Sequence, residues 1–260
     1  MEGGRVPMQR YFIPESQFGA DRVLITGDDA HHLLRVMRAE SGDEVIVSDG
    51  KGKDALVRIT VIGKNEAEGE IVDALPVSGE PAVDVWVAQS LPKGDKLETV
   101  IQKGTEVGAL RFLPFLSERT VVQYDEKKEA KRLDRWREIA KEAAEQAHRS
   151  VIPEVEAPLS WKELLKLIPE TDLALICYEK ESGQQLRAVM SGTKERLSGK
   201  GKPRILIAIG PEGGFTEKEV AEAEAAGCRS VGLGSRILRT ETAALVALAC
   251  ILYEFGEMGG

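Results

Sequence analysis

The sequence predicts a small, mostly β domain followed by an α/β domain with a largely parallel sheet. Three observations predict it: hairpin signals through residues 1–75, a proline- and glycine-marked stretch at Pro76–Pro81, and alternation of strand and helix patterns over residues 82–260.

In the first segment, Glu44–Ser48 is a short strand, Asp49-Gly50 a turn signal, and Ala55–Ile62 a partly alternating strand that ends at a second turn, Gly63–Asn65. Ala67–Leu75 supplies another strand. Upstream, Asp29–Arg38 reads as a short helix in which Leu33, Leu34, Val36 and Met37 leave Arg35 and Arg38 on the more polar side. Residues 76–81, with Ser78 and Gly79 between two prolines, form the linker.

The second segment opens on a buried-type strand, Val83–Ser90. A helix follows from Asp95, where Asp95 and Glu98 have the spacing of a capping box and Leu97, Val100, Ile101, Gly104 and Val107 recur at helical intervals. Further strands are expected at Phe112–Leu116, Leu173–Tyr178, Ile205–Ile209 and Ser230–Leu233. A helix over Lys127–Arg149 places Leu133, Trp136, Ala140, Ala143 and Ala147 on one face and mixes charge signs elsewhere, as a solvated face does. Thr216 with Glu219 forms a second capping box for a helix that stops at Gly227. The last helix begins near Thr240 and is apolar almost all round, which suits a core or an interface.

Bulk properties exclude more than they select. Of 260 residues 42% are apolar, ample for packed cores, while 43 acidic against 35 basic residues make the chain an anion and disfavour generic polyanion binding. RNA binding would need a local basic face. The longest apolar run, Ala243–Tyr253, is about half of the ~20 residues a membrane span requires, and the N-terminus lacks an apolar signal core, so no membrane association and a cytoplasmic location are expected. Cys177, Cys228 and Cys250 fit no metal or redox spacing and read as reduced, small core residues. His31 and His32 diverge on a helix, His148 stands apart, and no carboxylate set accompanies them, so no metal is expected.

Two glycine-rich segments follow strands, where open α/β sheets bind ligands. The first, Ile209-Gly-Pro-Glu-Gly-Gly-Phe215, is not a P-loop, because no Gly-Lys-Ser/Thr follows at the required spacing. A tight strand-to-helix turn explains it about as well as a ligand loop does. The second, Val231–Thr242, carries Gly232-x-Gly234, half of a dinucleotide fingerprint. The third glycine position holds Ile237, and the acidic position falls at Glu254 inside a helix, so a nicotinamide or flavin oxidoreductase is disfavoured.

Taken together, Ile209–Phe215 and Leu233-Gly-Ser-Arg-Ile-Leu-Arg-Thr-Glu-Thr-Ala243 closely resemble the signature of the RsmE family, SPOUT-superfamily 16S ribosomal RNA methyltransferases. Leu91–Glu98, Ile101–Gly108, Ser117–Thr120, Glu142–Gln146, His32–Arg38 and Asp49-Gly50 resemble it too, in order along nearly the whole chain. The resemblance implies a PUA-like β-barrel RNA-binding domain, then a SPOUT-type trefoil-knotted α/β domain that dimerises through the knot. It implies S-adenosylmethionine as methyl donor and N3 of one uridine in 16S rRNA, within the small ribosomal subunit, as acceptor.

Carried over by motif, Ile209, Gly210, Gly213, Leu233, Gly234, Ile237 and Leu238 are expected at the donor, with Thr242 and Ala243 closing the pocket. Uracil N3 is a poor nucleophile until its proton leaves. Arg239 is therefore the candidate for stabilising the developing anion, and Glu212 or Glu241 for taking the proton, although a glutamate in a first helical turn is more often a capping or dipole partner. Arg10, Arg35, Arg38, Lys93, Lys103, Arg119 and Arg149 match basic family positions and are candidates for phosphate contacts, against the commoner fate of a solvated or ion-paired charge. A ribose 2'-O methyltransferase of the same superfamily and a non-catalytic RNA-binding protein are the alternatives.

Overall fold

The computed structural model describes residues 8–122, 125–197 and 199–259, so the first seven residues of the expected small domain lie outside it. The chain divides into two compact units: Met1–Glu80 with Ala144–Ile152, and Pro81–Ala143 with Pro153–Gly260.

The first unit contains β1 (Arg10–Phe12), β2 (Arg22–Thr26), α1 (Gly27–His31), β3 (Glu44–Ser48), β4 (Asp54–Ile62) and β5 (Glu66–Leu75). They form one sheet in the order β1-β3-β4-β5-β2, parallel only between β1 and β3. Alternate residues Val45 and Val47, and Ala55, Val57 and Ile59, face the core. Register shifts between β4 and β5 mark bulges, which bend a sheet. At the β3–β4 turn Asp49 Oδ1 accepts the amides of Lys51 (2.7 Å) and Lys53 (3.0 Å), and Gly50 takes the positive φ of 73° that the turn requires. In place of one helix over 29–38, α1 continues into a π-helical turn, His32–Val36. Only Ala30 and Leu33 are buried there, so little packing enforces regular α spacing.

This unit is closed by a segment from far along the chain. Arg10 Nη1 lies 2.7 Å from Asp54 Oδ2, which also accepts from Ser150 Oγ at 2.5 Å. Arg149 Nη2 pairs with Glu80 Oε2 at 2.7 Å, while Glu80 Oε1 accepts the amides of Ser150 and Val151, each at 3.1 Å. Arg10 and Arg149 are therefore buried ion-pair partners and not the phosphate contacts expected of them. The structure also ends the long helix earlier than Arg149. It stops at Gln146, His148 takes a left-handed φ of 54°, and the Arg149 amide returns to the Ala144 carbonyl at 3.0 Å.

The second unit contains β6 (Asp84–Ser90), α2 (Lys96–Val107), β7 (Arg111–Leu116), α3 (Glu126–Gln146, whose last turn belongs to the first unit), β8 (Glu154–Val155), β9 (Leu159–Ser160) and α4 (Trp161–Leu167). It continues with β10 (Leu173–Cys177), α5 (Leu186–Met190), α6 (Thr193–Leu197), β11 (Arg204–Ile209), α7 (Glu217–Ala225), β12 (Arg229–Val231) and α8 (Thr240–Phe255). The sheet order is β12-β10-β11-β6-β7-β8, with β9 also on β7, and every pairing is parallel. Central strands read as continuous apolar runs because helices cover both faces. Trp86, Leu113, Phe115, Ile176, Leu206 and Phe215 share one core, with Phe115 and Phe215 stacked at 6.2 Å.

The two capping boxes differ in outcome. Thr216 and Glu219 form theirs in full, whereas Asp95 makes no side-chain cap bond. Arg132 on α3 lies 3.3 Å from both Asp95 Oδ1 and Glu98 Oε1 and draws both carboxylates outward. Helix α8 packs on α2, β11, β6 and α5 through Ala244, Ala247, Leu248, Ile251 and Leu252. Its other side is open: Tyr253 is 67% exposed, and Cys250 is exposed instead of being a core residue. Cys228 is buried, and Cys177 is half-buried at the end of β10. Burial pushes both thiols up to about 12. No described helix is long and apolar enough to cross a membrane.

Candidate active site

A cavity of about 610 Å³ opens where β10, β11 and β12 end. Its wall is Cys177–Glu179, the loop Ile209–Gly214, the loop Gly232–Arg239, Thr240 and Ala243 of α8, and Lys96 of α2. Placement at the carboxyl ends of parallel strands is where this architecture leaves room for a ligand.

Backbone forms much of the wall, and the sequence enforces this. A Cβ on Gly210 would come within 3.2 Å of the Phe215 ring, and one on Gly232 within 2.7 Å of Gln185 Nε2. Gly234 has φ of 100° and donates its amide to Gln185 Oε1 at 3.0 Å. The two loops are joined from beneath: Thr240 Oγ1 donates to the Gly210 carbonyl at 2.6 Å and accepts from Gln89 Nε2 at 2.8 Å. Both side chains are buried.

A second brace comes from Ser117–Thr120. Arg119 Nη1 donates to the Gly213 carbonyl at 2.6 Å, and the Glu118 amide donates to Glu219 Oε1 at 2.8 Å. Arg119 is exposed, but its guanidinium is directed to the glycine loop.

The charges in the cavity wall are unevenly engaged. Glu212 Oε1 accepts from Lys96 Nζ at 2.6 Å and from the Lys93 amide at 3.1 Å. Partial burial acts to raise its pKa, but the Lys96 hydrogen bond, the backbone amides and the Lys96 charge outweigh burial and hold the carboxyl below its ordinary value. Lys96 Nζ also lies 4.0 Å from Glu241 Oε2, a buried oxygen with no hydrogen-bond partner. Arg236 and Arg239 line the cavity with exposed side chains.

Ile209, Gly210, Gly213, Leu233, Gly234, Ile237, Leu238 and Ala243 thus come together as expected from sequence, as do Glu212 and Arg239. Thr242 and Glu241 are not in the wall: Thr242 points to solvent on α8, and Glu241 turns toward Lys96. Sequence reasoning missed Lys96, Tyr178 and Glu179. Lys96 lies in a quoted motif, but nothing in a linear reading signals its pairing with a residue 116 positions away. Of the remaining basic candidates, Arg35, Arg38 and Lys93 are exposed, and Lys103 is exposed and paired with Glu106 at 2.7 Å. Among the described residues no group of three or more His, Cys, Asp and Glu side chains converges as a metal set.

Residues 79–252 match the family model described as the RNA methyltransferase domain, and residues 25–72 the one described as the RNA methyltransferase PUA domain. The class defined by fold and cavity is thus that of the RNA methyltransferases. The chain is 40% identical to the ribosomal RNA small subunit methyltransferase E of Bacillus subtilis, over 95% of this chain and 97% of that one. With the Synechocystis protein of the same name it shares 35% identity, covering 93% and 76%. A crystal structure of the Neisseria gonorrhoeae ribosomal RNA small subunit methyltransferase E bound to S-adenosyl methionine superposes with a TM-score of 0.81 at 33% identity, covering 95% and 97%. The chain belongs to the ribosomal RNA small subunit methyltransferase E family.

Proposed function

We propose that this protein transfers the methyl group of S-adenosylmethionine to N3 of a uridine in the 16S rRNA of the small ribosomal subunit, giving 3-methyluridine. The observation that carries this is the cavity between the two glycine loops, with bare backbone on one side and Lys96, Arg236 and Arg239 on the other. Its volume of about 610 Å³ is in the range of small-molecule sites, and glycines at 210, 213, 232 and 234 keep side chains out of the path of a flat adenine ring. When bound, the donor supplies a methyl group already activated on sulfur.

The protein's task is then to orient the base and stabilise charge. Arg239, at the N-terminus of α8, is positioned to face an anion developing on the uracil carbonyls. Arg35 and Arg38 of the first unit and Lys93 and Lys103 of the second are exposed and suited to phosphate contacts. The open side of α8, with Leu245, Val246, Cys250 and Tyr253, supports a homodimer through this helix. A trefoil knot in the C-terminal chain is compatible with β12 at the sheet edge and α8 packed centrally on β11 and β6. A cytoplasmic site of action follows from a ribosomal substrate.

The test is methyl transfer from labelled S-adenosylmethionine to unmodified small subunits, followed by nucleoside mass analysis. Labelled 3-methyluridine is expected. Label on a ribose would move the protein to 2'-O chemistry, and donor binding without transfer to any rRNA form would leave a binding protein.

A further inference from the structure

Two candidate proton acceptors, Glu212 and Glu241, were expected at this site, yet the geometry engages them differently. Glu212 is held in its charged form by Lys96 and the Lys93 amide, which makes it a weak proton acceptor. Glu241 lies outside the cavity wall, with Oε2 buried. Lys96, by contrast, is in the wall, with its Nζ between these two carboxylates at 2.6 and 4.0 Å. An ammonium has three N–H donors, and Glu212 takes one.

We propose that Lys96 is a catalytic cation of this site, whose ammonium donates to a uracil carbonyl flanking N3 and promotes loss of the N3 proton to solvent, so that neither Glu212 nor Glu241 serves as the base. The proposal rests on the N3-methyluridine reading above. Uracil deprotonated at N3 spreads its negative charge over the two flanking carbonyl oxygens, so a cation there stabilises the anion directly. The balance is simple. The N3–H bond breaks with its proton passing to water, its electron pair forms the N3–CH₃ bond, and the S–CH₃ pair returns to sulfur, which becomes a neutral thioether.

Glu212 has a positioning role in this arrangement. It fixes Lys96 at the first helical position of α2, and it sits in the loop that also carries Gly210 and Gly213, so donor loop and cation move together. The other charged groups facing this space are Glu179 beyond β10, Arg236 and Arg239 in the second glycine loop, and Glu241 on α8. A carbonyl placed against the cations of this group is stabilised as the anion forms, so the site can raise N3 acidity without a dedicated base.

The experiment uses the full-length protein with unmodified small subunits and compares wild type, Lys96→Met and Lys96→Arg. It reads kcat between about pH 6 and 9, donor Kd by calorimetry, thermal melting and the modified nucleoside. Expected for Lys96→Met is a fall in kcat of about 100-fold near neutrality that narrows as pH rises, because alkaline solvent removes the N3 proton unaided. Donor Kd should stay within about twofold, and Lys96→Arg should recover most of the rate. A weakened donor Kd with an unshifted pH profile would reduce Lys96 to a brace for the Glu212 loop and overturn the proposal. An unchanged kcat would overturn it equally. If the wild-type product is not 3-methyluridine, the underlying reading fails, whatever the variants do. Should Lys96→Met melt early, Lys96→Gln, which keeps a polar side chain without the charge, is read in its place below its melting temperature, and an unshifted pH profile there overturns the proposal.

Discussion

The hydroxyl of Thr240 reaches the carbonyl of Gly210 at 2.6 Å, joining the first turn of α8 to the glycine loop after β11 from below. Gln89 completes the link, so three elements distant in sequence meet at one buried hydroxyl. Replacing Thr240 with Val keeps the shape but strands the Gly210 carbonyl and leaves Gln89 Nε2 with the Ser90 carbonyl alone. A buried polar group so stranded costs about 1–3 kcal/mol. Donor affinity in Thr240→Val is therefore expected to drop about tenfold by calorimetry. Thr240→Ser should remain near wild type.

The arginines of the first unit divide into two kinds that a single pair of assays separates. Asp54→Ala strands the buried Arg10 guanidinium and should destabilise the protein by about 3–5 kcal/mol in urea unfolding. Arg35→Ala and Arg38→Ala should leave unfolding unchanged and weaken RNA binding, each lowering the slope of log K against log salt by about one.

Acid should loosen the donor loop in a defined direction. The Glu212 carboxyl is depressed in the folded protein, so its tether to Lys96 is in place above the ordinary carboxylate pKa and is lost as pH falls through the lower folded value. The tether's contribution to the melting temperature should be level from neutrality to about pH 5 and decline below about pH 4. In Glu212→Gln the part of that decline due to this tether should be absent.

Thiol labelling tests how α8 is covered. Cys228 is buried and Cys177 half-buried, with both thiols pushed up to about 12, so each should react far more slowly than Cys250 in the native protein. Cys250 is exposed on the open side of α8. If that side joins two copies, Cys250 labelling should accelerate on dilution through the dimer dissociation range. A rate independent of protein concentration would count against α8 as the contact.

Much of this architecture was legible from residue patterns. The apolar runs at Val83–Ser90 and Ile205–Ile209 mark interior parallel strands because covered sheets need apolar residues on both faces. Thr216 and Glu219 announced a helix start and made it. Asp95 and Glu98 carried the same signal and failed, since Arg132 outcompetes a helix amide for the carboxylates. Helices α5 and α6, of five residues each, are too short for periodicity to register, and β1 pairs in parallel with β3, a contact no hairpin signal encodes.

At the site, the glycine loops were visible because glycine restricts what can stand there, and eight of the nine residues expected around the donor line the cavity. Side-chain roles were harder to place. Arg10 and Arg149 look like Arg35 and Arg38 in a linear reading; only folding reveals that Asp54 and Glu80 await the first pair. Lys96 was hidden for the same reason.

The closure of the first unit by Ala144–Ile152 bears on how the chain is made. Its five strands have all been synthesised by Leu75, but Ser150 and Arg149, which satisfy Asp54 and Glu80, come about seventy residues later. During translation the nascent sheet must therefore wait, with Glu80 lacking its cation, while β6, α2, β7 and α3 of the second unit emerge from the ribosome. A fragment ending at Glu80 would be stalled at that same point, and supplying residues 144–152 as a separate peptide would be the natural way to release it.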